Sequence, residues 1–282
     1  MPGRKKKKGS GGSSSKKKTG VYTSTLFKQQ LSGRSGDFTS PNRFFCVKLH
    51  IVDTEETFSV PDCHRDLIVS NLKSRLELLA GIPVNFQRLQ YLDEADLPEK
   101  STFKENDIVS GATLTMRIWS QDAWGRLVTT AVKGNTHKLH GVGATKTSLF
   151  CTAHSELLNP ERRAEWLAHR SFVALFVTAH RGLLEAVEFL LQNGADPRYQ
   201  TPLGRTALHA AAAGGQLACI ELLLNYGARV TDKDHAGHTA VVTARAWGQK
   251  ESERKLFQCQ WQLRMASCHT ASKTKPEEKI EV

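Results

Sequence analysis

A repeat of 33 residues limits the folds that the C-terminal half of this chain can adopt. Several positions share this period in one register. They are Gly182 and Gly215, Gly204 and Gly237, 194–195 and 227–228, and 187–191 and 220–224. Because one such coincidence would mean little and several in register are unlikely by chance, the pattern predicts an array of stacked structural repeats.

Small side chains dominate the middle repeat, which reads "GRTALHAAAAGG" at 204–215. Alanines let one helix approach its neighbours closely, and Gly215 suits a tight turn between two antiparallel helices, since glycine adopts positive φ without steric cost. The leucines at 222–224 supply the second helix with a buried stripe. Because one helix pair cannot bury its apolar face alone, neighbouring pairs must stack.

The stretch "TALH" at 206–209 resembles the Thr-Pro-Leu-His of ankyrin repeats, with alanine where proline is usual. The resemblance covers residues 166–262 as about three repeats, and the outer two match less closely, as terminal repeats do. It implies that Thr206 and His209 hold the helix start through local hydrogen bonds, so that His209 is structural and not catalytic.

Residues 43–120 follow a different pattern. "FFCVKLHIV" and "ETFSV" alternate apolar and polar side chains, as half-buried strands do. "DLIVSNLKSRLELLA" places Val69, Leu72 and Leu76 on one helical face, and Gly81 ends that helix. With further strands at "QRLQYL" and "ATLTMRIW", the pattern predicts a β-grasp domain.

The words "AGIPVNFQRLQYL" and "TFKENDIVSGATLTMRIW" resemble ubiquitin in motif and in element order. The expected fold class is therefore α+β, a ubiquitin-like domain followed by a short all-α ankyrin array. The chain continues through Ser120 without a terminal Gly-Gly, so this domain is not expected to be conjugated. Gln90 and Arg117 occupy the positions of the isoleucine and valine in ubiquitin's apolar patch, which removes the apolar burial that drives binding there.

The exposed face of the ubiquitin-like domain is expected to be basic and polar instead. It comprises Lys48, His50, Arg88, Gln90 and Arg117. The sequence leaves open whether these are ordinary solvated strand residues or a second binding surface.

In ankyrin arrays, the hairpin tips and the ends of the first helices contact partners. The repeat register transfers these protein-binding positions to His180, Arg181, Arg205, His235, His238 and Trp247. Arginine and tryptophan are frequent interface anchors, and the set contains no acid, so it predicts an acidic protein partner that binds more tightly as the histidines are protonated. The alternative is that Trp247 packs against a capping helix at 251–262 and that the charged groups are only solvated.

The positive charge of the chain is concentrated at its N-terminus. The net charge is +11, but residues 1–20 carry eight basic and no acidic side chains, which leaves +3 for the rest. Residues 1–42 and 263–282 are expected to be disordered because they contain few core-forming residues. The two lysine runs in the first tail suit either a two-part nuclear signal or a solvated tail.

Residues 121–165 are expected to form a linker, and the pattern at 124–158 leaves open whether a degenerate repeat lies within it. "GVGATKTS" at 141–148 lacks the glycine before Lys146 that a phosphate-binding loop needs. Cys151 and His154 lack a second pair at a spacing that zinc binding would need. We therefore expect no cofactor, no metal and no catalytic site.

Six widely spaced cysteines are typical of a reducing compartment, and no apolar run reaches the length of a membrane span. The expected location is intracellular, either cytoplasmic or nuclear. The patterns together predict an adaptor that binds other proteins through the concave face and hairpin tips of its repeats. The alternative is a nuclear nucleic-acid-associated protein that acts through the lysine-rich tail, although no folded basic helix or aromatic platform accompanies the lysines.

Overall fold

The N-terminal domain is a mixed four-stranded sheet with one helix packed on it. A computed structural model describes residues 44–272. The elements of this domain are β1 Phe45–Ile51, β2 Glu56–Cys63, α1 Val69–Ala80, β3 Gln87–Gln90 and β4 Thr113–Ile118. The strands lie in the order β2-β1-β4-β3, with β1 and β4 parallel at the centre and antiparallel pairs at both edges.

Alternation along the strands places one face of this sheet in the core. Alternate residues of β1 and of β4 are buried against α1, whose Leu72 and Leu76 are fully buried. Gly81 ends α1 with φ of 67°, the left-handed conformation that favours glycine. The helical face and helix end predicted from the sequence are confirmed.

The rest of the described chain is helical. The helices are α2 Trp124–Lys133, α3 Thr136–Gly141, α4 Ala153–Glu156, α5 Pro160–Arg181, α6 Leu184–Gln192, α7 Ala207–Gly214, α8 Leu217–Asn225, α9 Ala240–Ala246 and α10 Lys250–Ser272. Helices α5, α7 and α9 stack as an inner row, and α6, α8 and α10 stack behind them as an outer row. The predicted stack of helix pairs is therefore present.

The turn between the two helices of each pair repeats its backbone conformation as well as its sequence. Gly182, Gly215 and Gly248 follow inner helices at intervals of 33 residues, and their φ angles are 73°, 72° and 70°. A side chain other than glycine is strained at such angles. The 33-residue period therefore reflects the need for a residue that can adopt positive φ at each turn.

A further helix pair precedes the three that the sequence predicted. Helix α2 packs on α5 in the inner row, and the short α3 packs on α6 in the outer row. Gly134 joins α2 to α3 with φ of 66°, like the glycines of the later turns. This pair occupies the segment whose repeat content the sequence left open.

Arg170 anchors the connection between this additional pair and α5. Its side chain is completely buried, and its guanidinium carbon lies 4.7 to 4.8 Å from the ring centroids of Trp124, Phe150 and Trp166. It donates hydrogen bonds to the carbonyl oxygens of Asp122 and Val142. Burial lowers the pKa of Arg170 to about 10, so the guanidinium stays protonated at neutral pH.

The last helix of the array extends into the predicted C-terminal tail. Helix α10 continues to Ser272, so the C-terminal tail predicted to be disordered from residue 263 begins with helix. A helix already packed at Leu256 extends at little cost beyond its last contact, because propagation adds one hydrogen bond per residue. The lysine-rich tail lies outside the described residues.

Candidate interaction surface

The inner face of the helical array contacts the N-terminal domain of the same chain. Helix α1 lies against α7, and residues near its C-terminal end meet the ends of the array's inner helices and hairpins. Three of the six predicted partner-binding residues, His180, Arg181 and Arg205, make these contacts.

His180 binds the last turn of α1. Its Nε2 donates to the Leu78 carbonyl oxygen over 2.7 Å, and its Nδ1 is buried without a hydrogen-bond partner. A Cβ atom on Gly81 would lie 2.5 Å from the imidazole, so this contact requires glycine there. Burial, with a smaller contribution from the charge of Arg181, lowers the pKa of His180 to about 4. His180 is therefore neutral at neutral and mildly acidic pH, which contradicts the expectation that its protonation strengthens the binding of an acidic partner.

Arg181 bridges two parts of the N-terminal domain. It forms a bidentate pair with the Glu56 carboxylate, in which Nη2 lies 2.7 Å from Oε2, and it donates to the Ala80 carbonyl oxygen over 3.1 Å. Burial alone would raise the pKa of Glu56, but the hydrogen bonds and charge of Arg181 outweigh burial and lower it. The ion pair therefore holds the β2 edge of the sheet on the array.

Arg205 joins three elements around a buried carboxylate. Its Nη1 donates to the Ser74 carbonyl oxygen over 2.6 Å and lies 3.6 Å from Oε1 of Glu77. Its Nε lies 3.6 Å from Oδ2 of Asp234, in the next hairpin. Burial raises the pKa of Glu77, whose side chain has no exposed surface, and the charge of Arg205 opposes that rise. The positive charge of Arg205 thus offsets the negative charge of carboxylates in both domains.

Glu77 is held by neutral donors as well as by Arg205. Its Oε1 accepts from the Thr201 hydroxyl over 2.9 Å, and its Oε2 accepts from the Val84 amide over 2.8 Å. Both contacts leave the carboxylate hydrogen-bonded although it is out of water, which is the condition for burying a charge. The sequence alone did not identify Glu77, because an acid in a helix pattern normally indicates a solvated position.

The shared feature of these contacts is the C-terminal end of a helix. The last carbonyl groups of α1 have no partner within the helix, and the helix dipole places partial negative charge there. His180 and Arg181 supply donors to these carbonyls, and Arg205 binds one turn earlier. The array face thus has the chemistry of a receptor for a helix end, and its own N-terminal domain occupies it.

The other three predicted residues lie at the third hairpin and helix. His235 is exposed at the hairpin tip, with its ring against Gly204. His238 is partly exposed, and its Nδ1 lies 3.6 Å from Oδ2 of Asp234. Trp247 is half-buried against the core at the end of α9. The tip therefore remains accessible, while Trp247 packs in part against the core of the array.

His209 has the structural role that the family resemblance implied. The Thr206 amide donates to its Nδ1 over 3.2 Å, and its Nε2 donates to the His238 carbonyl oxygen over 3.1 Å. The first bond caps the start of α7, and the second ties that helix to the next hairpin. Burial lowers the pKa of His209, which is consistent with a neutral ring that uses one nitrogen as acceptor and the other as donor.

Four of the five residues predicted to lie on the exposed face of the N-terminal sheet are at least partly exposed. Lys48 and Arg117 are exposed, and His50 and Arg88 are partly exposed. Gln90 is 5% exposed, which corrects its assignment to the surface. The following loop folds back over it, and its amide donates to the Glu94 carbonyl oxygen over 2.6 Å. An isoleucine there would be covered, so restoring ubiquitin's patch residues would not restore its patch.

Among residues 44–272, no group of three or more His, Cys, Asp or Glu side chains could hold a metal ion. Within the same residues, no helix is long and apolar enough to cross a membrane.

Comparison with known proteins identifies the repeats of the helical array. A family model described as "Ankyrin repeats (3 copies)" matches residues 175–263. A search of curated proteins finds no match. The match begins within α5 and ends within α10, so it covers the three helix pairs with the regular glycine turns. The chain therefore carries ankyrin repeats at residues 175–263, behind a mixed sheet and helix that are compatible with a ubiquitin-like fold.

Proposed function

We propose that this protein is a non-enzymatic adaptor that binds a partner protein at the tip of its third ankyrin hairpin. Ankyrin repeats are protein-interaction modules, and residues 175–263 match that family. The main support for the proposal is that the N-terminal domain covers one part of the repeat surface and leaves another part open. The N-terminal domain covers the inner ends of the first two repeats, whereas the third hairpin stays accessible.

Basic side chains outnumber acidic ones on the open surface of this hairpin. Arg229, Lys233 and His235 are exposed, while Asp234 in the same hairpin is buried and hydrogen-bonded to the backbone amides of Ala236 and His238. Asp234 is thus turned inward and engaged by Arg205, whereas the second acid of this hairpin, Asp232, is partly exposed and offsets part of the positive charge. Charge complementarity favours an acidic partner surface and accelerates its approach.

The proposal is tested with the full chain and two matched variants. The tip variant Arg229→Glu/Lys233→Glu changes the charge of the hairpin, and Lys138→Glu/Arg162→Glu makes the same change at exposed positions away from it. Proteins captured by the wild-type chain are identified, purified and titrated against all three forms by calorimetry. We expect the tip variant to lose roughly tenfold or more in affinity, since several charge pairs worth up to about 1 kcal/mol each reverse sign.

The control variant should bind like the wild-type chain. Equal affinity of the tip variant and the wild-type chain for every captured partner, with both folded by circular dichroism, would show that the third hairpin is not the binding site.

A further inference from the structure

The outward face of the N-terminal sheet carries more positive than negative charge. Its helix side is taken by the core and the ankyrin array, so this face is the side of the domain that remains open. The outward strand positions are Lys48, His50, Thr57, Ser59, Arg88, Gln90, Thr113, Thr115 and Arg117. None of these strand positions is Asp or Glu; Gln90 is covered by the loop after β3, and Asp96 of that loop is the acid that pairs with Arg88.

The strand register sets two arginines directly against each other. Arg88 on β3 pairs with Arg117 on β4. Like charges at directly opposed positions repel and destabilise a sheet. Arg88 is offset by Asp96, at 2.7 Å, and lies over the Trp119 ring at 5.5 Å. In the part of the chain that the structure describes, neither Arg117 nor Lys48 has an ion-pair partner, so this repulsion is only partly compensated.

We infer that this sheet face is a docking surface for an extended acidic segment of a partner protein. Lys48 lies beside Thr113, and His50 lies beside Thr115, two residues before Arg117. Lys48, His50 and Arg117 therefore advance in steps of two residues, about 6.6 Å each. An extended segment presents alternate side chains at the same interval. Acidic residues at every second position of that segment would meet these three basic side chains in turn.

The hydroxyl groups between the cations suit carboxylates. Thr57, Thr113 and Thr115 can each donate one hydrogen bond to a carboxylate oxygen. Trp119, at the end of β4, is 36% exposed and offers an apolar contact of the kind found at interface centres. The face therefore combines charge, neutral donors and one aromatic anchor along a single direction.

A nucleic acid fits this face less well than a peptide. Sheets that bind single-stranded nucleic acids stack bases on aromatic side chains that project from the strands. None of the nine outward positions of this sheet is aromatic. Trp119 lies beyond the strand end, so it offers a single ring and not a series of stacking positions along the strands. Phosphates would meet the cations, but the bases would have no platform.

The inference is tested on the full chain by fluorescence anisotropy with a labelled peptide of alternating Glu and Ser. The variant Lys48→Glu/Arg117→Glu changes the face, and Lys100→Glu/Lys104→Glu makes the same change of charge at exposed positions of the same domain outside the strands. All three forms keep the basic N-terminal tail, so its attraction for the peptide is the same in each. We expect the face variant to bind roughly tenfold more weakly than the wild-type chain, and the control variant to differ less than twofold from it.

A second peptide of the same composition, with its glutamates in one block, tests the spacing and should bind more weakly than the alternating peptide. Equal losses in the face and control variants would overturn the inference, because they would mean that only net charge matters. Tighter face-dependent binding of a short oligothymidylate than of the peptide would also overturn it. These substitutions leave the third ankyrin hairpin unchanged, so their outcome is independent of the adaptor proposal.

Discussion

Arg205 contacts both domains, so its substitution is the most direct test of how the two domains are held together. The substitution Arg205→Ala removes the only side chain that lies close to carboxylates of both Glu77 and Asp234 among the described residues. It also removes the donor to the Ser74 carbonyl oxygen. The arginine side chain is 12% exposed, and the two carboxylate side chains are 0% and 3% exposed, so water cannot replace it freely.

The expected loss of unfolding free energy follows from these surroundings. Removal of one partner from a buried ion pair costs about 3 to 5 kcal/mol, because the remaining charge is left uncompensated. Glu77 keeps its bonds from Thr201 and Val84, and both arginine–carboxylate distances are 3.6 Å, which favours the lower end. We expect a loss of about 3 kcal/mol, equivalent to a fall in Tm of roughly 6 to 12 °C for a protein of this size.

The assay is urea unfolding of the full chain, followed by tryptophan fluorescence and far-ultraviolet circular dichroism. Arg198→Ala, at an exposed position of the same hairpin, is the control and should change the unfolding free energy by less than about 0.5 kcal/mol. Adding Glu77→Gln to Arg205→Met should recover about 1 kcal/mol or more relative to Arg205→Met alone, since a buried charge is then removed. A loss below about 1 kcal/mol in Arg205→Ala would refute the assignment of Arg205 as the bridge between the domains.

Other predictions follow from single buried groups. The pKa of His180 falls from 6.5 to about 4 on folding. The free energy of unfolding should therefore decline by about 3 kcal/mol as the pH falls from above 6.5 to 4. His180→Gln, unfolded across the same pH range, should show a smaller decline. Leu223→Ala should lower the free energy of unfolding, measured by urea titration, by about 2 to 5 kcal/mol, because Leu223 is fully buried. Leu184 is 42% exposed, so Leu184→Ala should lower it much less, and equal losses would contradict the packing. Gly215→Ala should lower the Tm by an amount equivalent to about 1 kcal/mol or more, since φ is 72° there, while Gly141→Ala, with open space around it, should leave the Tm unchanged or higher.

The repeat array could be predicted from the sequence because its determinants are local. A helix pair and its turn occupy one period, so the positions of Gly182 and Gly215 report the same backbone requirement. The sheet was predictable for a similar reason, since alternation along β1 shows which side chains face the core. Both signals lie within a few residues of the feature that they report.

The docking of α1 on the array could not be predicted in this way. Periodicity shows which helix face is apolar, but Glu77 and Lys73 are polar residues that are nonetheless buried. Their partners lie far along the chain, as with Thr201 and Glu77, which are separated by 124 residues. The covering of Gln90 was missed because its cause is the path of the next loop, which alternation within β3 does not reveal. A contact between distant segments leaves no local pattern.

The contact between α1 and the array also sets an order of events during synthesis. Arg205 follows Ala80, the last residue of α1, by 125 residues, so a ribosome that adds about 5 to 20 residues per second reaches Arg205 roughly 6 to 25 s after it completes α1. During that interval Glu77 lacks the Arg205 and Thr201 side chains that accompany its burial in the folded chain. Because an unpaired charge is costly to bury, we expect the side of α1 around Glu77 to stay hydrated until the second ankyrin hairpin has been synthesised.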